Sequence, residues 1–156
     1  EASAVAAACS DPRSTLPLWR AWRGASTDHF YTLNADEMQN AVTRFGYQGQ
    51  GITGYLFTVS QTGNVPLYRL YHPGMQDHFY TTSAPERDNA IRFSGYTYEG
   101  IAGFCYPDAS CGGRPLYRSW NPSASDHFYT MSEAEKNNAQ AGGWSYEGVA
   151  CYVYPY

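Results

Sequence analysis

The sequence predicts a mainly β protein with short helices, built from three β-β-α-β-β units closed into a pseudo-threefold, propeller-like ring. Three observations carry that expectation. The string DHFYT occurs at residues 28–32, 77–81 and 126–130, at a constant offset of 49 residues. Pro17-Leu18-Trp19-Arg20, Pro66-Leu67-Tyr68-Arg69 and Pro115-Leu116-Tyr117-Arg118 keep the same offset, and repetition at such a length marks one supersecondary unit used several times. Aromatic residues make up 17% of the 156-residue chain and charged residues only 15%, a balance that suits half-buried strands better than surface-charged helices. A β-trefoil has the same count and unit length but no recurrent helix, so it is the alternative.

Each element follows from local sequence. The chain reads as a single domain, 1–156, with repeats at 16–64, 65–113 and 114–156 and an N-terminal segment, 1–15, clasped by a disulfide. Pro66-Leu67-Tyr68-Arg69-Leu70-Tyr71 and Asp77-His78-Phe79-Tyr80-Thr81 are short, aromatic and alternating, and the five residues between them are turn formers; this predicts a β-hairpin. Asn34-Ala35-Asp36-Glu37, Ser83-Ala84-Pro85-Glu86 and Ser132-Glu133-Ala134-Glu135 resemble capping boxes and open helices of two to three turns. Met38, Ala41, Val42 and Phe45 then share one helical face. Glycine ends each helix at Gly46, Gly95 and Gly143, and two further short strands are expected, for example Tyr96–Glu99 and Ile101–Tyr106. One unit has too little core to stand alone, which argues for closure of the three.

Net charge is −4 and no run of Lys or Arg occurs, so the phosphate-neutralising footprint of a nucleic-acid binder is missing. No apolar stretch approaches the roughly 20 residues that span a bilayer. The chain opens on Glu1-Ala2, which reads either as the end left by a removed leader or as the remnant of a yeast secretion leader; both readings predict a secreted, extracellular protein. Cys9, Cys105, Cys111 and Cys151 are even in number and lack zinc-type spacing, so two disulfides are expected. Cys105 and Cys111 flank the start of unit three, and Cys151 and Cys9 flank the start of unit one. That likeness predicts the pairs Cys105–Cys111 and Cys9–Cys151.

Two roles compete for the repeated residues. If Tyr71 pairs with Asp77, alternation places Arg69 diagonally beside Asp77. Arg20 with Asp28 and Arg118 with Asp126 repeat the relation, which predicts an Arg–Asp brace within each hairpin and a structural role for these arginines. The binding reading uses the same region, since a saccharide needs an aromatic face for its C–H patch and planar polar groups for its hydroxyls. The candidate ligand-binding residues are Trp22, Asp28, His29, Tyr31 and Asn40 in unit one. In unit two they are Tyr71, Asp77, His78, Tyr80, Asn89, Tyr98 and Glu99. In unit three they are Trp120, Asp126, His127, Tyr129, Asn138, Tyr146 and Glu147. A trigonal metal site of His29, His78 and His127 is a minor alternative, and no metal or cofactor is expected. Each unit offers too few carboxylates for calcium. Gln50 stands where the other units have Glu99 and Glu147; glutamine keeps the acceptor and loses the acid–base function, which favours hydrogen bonding over hydrolysis. Gly49 replaces Tyr98 and Tyr146, so unit one is expected to be the weakest site.

The combined string PLYR…DHFYT…ERDNA…GYTYEGIAG resembles a repeat of unassigned function in secreted bacterial and fungal proteins, often attached to hydrolase domains. The resemblance runs from Leu16 to Pro155. It implies an accessory or binding module rather than a catalytic domain, and as a free-standing form the chain resembles a small secreted lectin. Trp19, Gly49 and Gln50 in unit one depart from the repeat. The expected function is therefore carbohydrate binding without catalysis, at up to three similar sites, with glycans or glycoproteins as partners. The alternatives are a protein-binding or inhibitor module and a small secreted hydrolase.

Overall fold

The computed structural model describes residues 9–156; Glu1-Ala2 lies outside the described residues. The protein is mainly β, and its three similar units each form a three-stranded sheet with one helix. Unit one holds β1 (Leu16–Arg23), β2 (Asp28–Thr32), α1 (Ala35–Arg44) and β3 (Gln48–Leu56). Unit two holds β4 (Val65–His72), β5 (Asp77–Thr81), α2 (Ala84–Phe93) and β6 (Thr97–Cys105). Unit three holds β7 (Arg114–Asn121), β8 (Asp126–Thr130), α3 (Glu133–Ala141) and β9 (Ser145–Val153). The sheets are separate, with strand orders β2-β1-β3, β5-β4-β6 and β8-β7-β9. The two strands expected after each helix are the two halves of one strand, shifted in register where it passes a glycine such as Gly100, whose φ is +107°.

Local chemistry explains the elements. Each hairpin loop ends on a residue in the left-handed region, Thr27, Gln76 or Ser125. Each helix starts on a side chain that accepts the backbone N–H three residues on: Asn34 from Glu37, Ser83 from Glu86 and Ser132 from Glu135. The capping-box glutamates do not fold back on the cap. Thr32 and Thr81 take that place, accepting the cap N–H and donating to Glu37 and Glu86.

DHFYT forms the strand of each sheet that lies nearest the other two units. An edge strand leaves backbone groups unpaired, and here tyrosine fills the gap. The Tyr31 hydroxyl donates to the Tyr129 carbonyl (3.0 Å) and accepts the Tyr129 N–H (2.8 Å). Tyr80 does the same to Tyr31, and Tyr129 to Tyr80. The three rings pack edge-on with centroids 5.3–5.5 Å apart, inside a core that includes Leu18, Leu67, Leu116, Leu56 and Val153. At the other end of the units, antiparallel bridges join Tyr55 to Tyr154, Phe57 to Phe104 and Tyr106 to Tyr152. Unit one thus touches unit two, unit two touches unit three, and unit three touches unit one.

The disulfides are Cys9–Cys111 and Cys105–Cys151, which corrects the expected pairing. The residues read as equivalent are not. A side chain built at Gly54 would meet Val153 at 2.9 Å, and one at Gly103 would meet Leu56 at 3.3 Å. Cys151 occupies the matching place in unit three, and Cys105 the place of Leu56 and Val153. The bridge therefore replaces a glycine–aliphatic contact that occurs at the other two junctions. Cys9–Cys111 still clasps the N-terminal segment, but to the loop ahead of unit three.

Candidate functional site

The repeated polar residues meet between units. Asp28 accepts the backbone N–H of His78 (2.9 Å), its ring Nδ1–H (2.6 Å) and the Tyr47 hydroxyl (2.5 Å). Asp77 receives the same three donors from His127 and Tyr96. Asp126 receives the two histidine donors from His29, but Trp144 stands where the tyrosine should be and brings no hydroxyl. All three aspartates are buried. Burial pushes the Asp126 carboxyl above its ordinary range despite His29. Burial pulls His127 down, but its hydrogen bonds to Asp77 and Glu147 outweigh this and leave it raised.

The expected Arg–Asp brace does not form. Tyr71 pairs with His78 and His72 with Asp77, one residue away from the assumed register, and such a slip exchanges the faces of a strand. Arg69 instead holds Glu37 of the preceding unit in a fork at 2.9 and 2.9 Å and donates through Nε to Glu99 (3.0 Å). Arg118 repeats this with Glu86 and Glu147. Arg20 grips Glu135 at 3.1 and 3.0 Å; opposite Gln50, its buried Nε has no partner. Each guanidinium also sits over a phenylalanine of the preceding unit, Phe30, Phe79 or Phe128. Burial opposes ionisation of Glu37, Glu86, Glu135 and Glu147, but arginine or histidine hydrogen bonds prevail and hold all four below the usual carboxylate range.

Two clefts open over these contacts. The first, about 530 Å³, lies between units one and two; Tyr47, Tyr71 and Phe45 line it together with Asn40, His78 and Glu99. The second, about 400 Å³, occupies the same place between units two and three and is lined by Phe93, Tyr96, Asn89, His127 and Glu147. In both, the histidine ring is flanked by aromatic groups: Tyr71 and Phe30 around His78, Trp120 and Phe79 around His127. Its Nε2 lies 3.5 Å from Glu99 or 3.4 Å from Glu147.

The remaining candidates fall elsewhere. Tyr31, Tyr80 and Tyr129 are buried at the centre, where burial raises their phenols and no ligand reaches them. Asp28, Asp77 and Asp126 are likewise inaccessible and act through the histidines. Tyr98 and Tyr146 lie under Arg87 and Lys136, paired with Tyr68 and Tyr117. Asn138 is exposed on α3, and Trp22 stands beside His29 at the third junction. Among the described residues the aspartates converge, with ligand atoms within 4.8 Å of one another, rather than the histidines; Asp28 and Asp77 each accept three donors and Asp126 two. Glu37, Glu86 and Glu135 were legible only as helix-capping residues, and their second role across the junction has no local signal.

The family description that matches residues 17–154 is a domain of unknown function, DUF5648. The chain belongs to the DUF5648 family. No curated protein and no solved structure matches it. Membership in an uncharacterised family agrees with the resemblance read from the repeat, and the DUF5648 match spans all three units. No helix among the described residues is long and apolar enough to cross a membrane, and two disulfides fit an extracellular setting.

Proposed function

We propose that this protein is a secreted, non-enzymatic carbohydrate-binding module whose sheets act as blades of a propeller-like ring and whose binding sites lie between the blades. One observation carries the reading: the first two junctions present separate, equivalent clefts that combine aromatic walls with histidine, glutamate and asparagine. Sugar recognition calls for that combination of ring faces and planar polar groups. A protein-binding surface would instead favour one contiguous apolar patch. None of the residues lining the larger cleft is Ser, Thr or Cys, so His78 has no aliphatic hydroxyl or thiol there to activate, and the Tyr47 phenol is already committed to Asp28. Two weak sites on one rigid body gain strength on dense glycans through multivalency.

A glycan array followed by titration calorimetry tests this. Saturable binding that persists in a chelator is expected, and Tyr71→Ala should weaken the first site about tenfold or more, equivalent to about 1.4 kcal/mol. Absence of saturable binding to every glycan would return the choice to a protein-binding module.

A further inference from the structure

The first junction has a second hollow that the site above does not use. It lies across the Arg69–Glu37 pair from the first cleft, encloses about 440 Å³, and is lined by Leu16, Leu33, Thr58 and Gly103. Asn34, Glu37, Arg69 and Glu99 line both hollows, so the two share one polar partition. Each alone falls within the roughly 300–1,000 Å³ typical of a ligand site.

Two features distinguish this junction from the second. Asn34 caps α1 through Oδ1, which accepts the Glu37 N–H at 3.0 Å. Its NH₂ group takes no part in the cap. The equivalent caps, Ser83 and Ser132, use a hydroxyl for the same purpose and carry no amide. Gly103 is the second feature. A Cβ there would meet Leu33 at 2.8 Å, so Leu33 packs directly onto the backbone of this wall. At the second junction Cys151 takes the place of Gly103, and Thr82, in place of Leu33, donates to the Ala150 carbonyl (3.3 Å).

We propose that the first junction takes a linear oligosaccharide laid across both hollows, with Asn34 contacting it where it crosses the partition. This rests on the carbohydrate reading above and adds a requirement for chain length. A single sugar fills one hollow; a chain of two or three engages both and gains the Asn34 amide.

The test is calorimetric titration of the intact protein with cello-, xylo-, laminari- and chito-oligosaccharide series of one to six sugars. In the series that binds, affinity should rise about tenfold or more from one sugar to three and then level off. Asn34→Ser keeps a helix cap that already serves units two and three, and should remove about two- to tenfold of that gain, the worth of one hydrogen bond. Thr58→Trp, at an exposed position, should block the second hollow and flatten the series, bringing the affinity for three sugars down to that for one. Melting temperature checks that both variants fold. Binding that is independent of length, or a gain that survives both substitutions, overturns the two-hollow site and leaves the carbohydrate reading standing. No saturable binding by any series overturns both.

Discussion

The second and third junctions use the same repeat, and their polar networks differ by two side chains. At the second, Asp77 receives three donors and Arg118 fills its fork on Glu86 and its Nε on Glu147. At the third, Trp144 for tyrosine removes one donor to Asp126, and Gln50 for glutamate leaves the buried Nε of Arg20 unpartnered. Both losses fall where the two ends of the chain meet. Cys9–Cys111 joins the segment leading into unit one to the loop leading into unit three. The second junction has a bridge of its own, Cys105–Cys151, so covalent reinforcement is common to both and the contrast between them lies in the polar network.

Removing the aspartates tests that contrast most severely. Asp77→Ala strands the His127 N–H, its ring N–H and the Tyr96 hydroxyl in a buried site, and breaking a buried pair in this way costs about 3–5 kcal/mol. For a domain of this size the melting temperature should drop by about 10 °C or more. Asp126→Ala strands one donor fewer, so its loss should be smaller by about 1 kcal/mol, the worth of one hydrogen bond. Calorimetry on both variants decides the matter; equal losses would show that Tyr96 adds nothing.

The pH dependence separates the junctions next. Glu37, Glu86, Glu135 and Glu147 have depressed values, so their contribution is present above about 4.3, the unfolded value, and is lost as pH falls through their folded values. Asp126 has a raised value; its protonation favours the folded state and partly offsets this acid loss at the third junction. His127 is also raised. Its contribution is complete below about 6.5 and disappears as pH climbs through the higher folded value. Melting temperature should therefore decline on both sides of a maximum near pH 5–7, and His127→Gln should flatten the alkaline side and, because Glu147 owes part of its depression to His127, soften the acid side as well. An imidazole titration of His127 by NMR at or below the ordinary histidine value would remove the basis for the alkaline limb.

The unit count, hairpins, helix caps and helix-ending glycines were all legible, because each depends on residues close in sequence. The junctions were not. Asp28 meets His78, and Arg69 meets Glu37, in the neighbouring unit. A repeat read one unit at a time assigns such residues to partners in their own hairpin, and the one-residue error in register made the Arg69–Asp77 brace look consistent. The same habit misled the cysteines, since Cys105 and Cys151 occupy different places in their units and meet only because adjacent units abut. Gln50 was visible as a departure from the repeat, whereas Trp144 keeps the aromatic character of Tyr47 and Tyr96 and gave no such signal. Only the structure shows that Trp144 removes a donor and that it shares a junction with Gln50.

Gln50 gives the smallest and most direct test of that coincidence. Restoring glutamate with Gln50→Glu should let a carboxylate accept the unpartnered Nε–H of Arg20, as Glu99 does for Arg69 at 3.0 Å and Glu147 for Arg118 at 2.9 Å. The new carboxylate would also face His29, as Glu99 and Glu147 face His78 and His127. Two considerations limit the gain. Position 50 is exposed, where ion pairs contribute about 0–1 kcal/mol, and Glu135 already neutralises Arg20 through its fork. Relief of a buried unsatisfied donor works in the other direction and is worth about 1 kcal/mol. The balance predicts a melting temperature higher by about 2–4 °C, with the increase shrinking in high salt. The equivalent reverse changes, Glu99→Gln and Glu147→Gln, should lower it by a similar amount. If Gln50→Glu leaves the melting temperature unchanged while those two changes lower it, the thinness of the third junction lies with Trp144 rather than with Gln50.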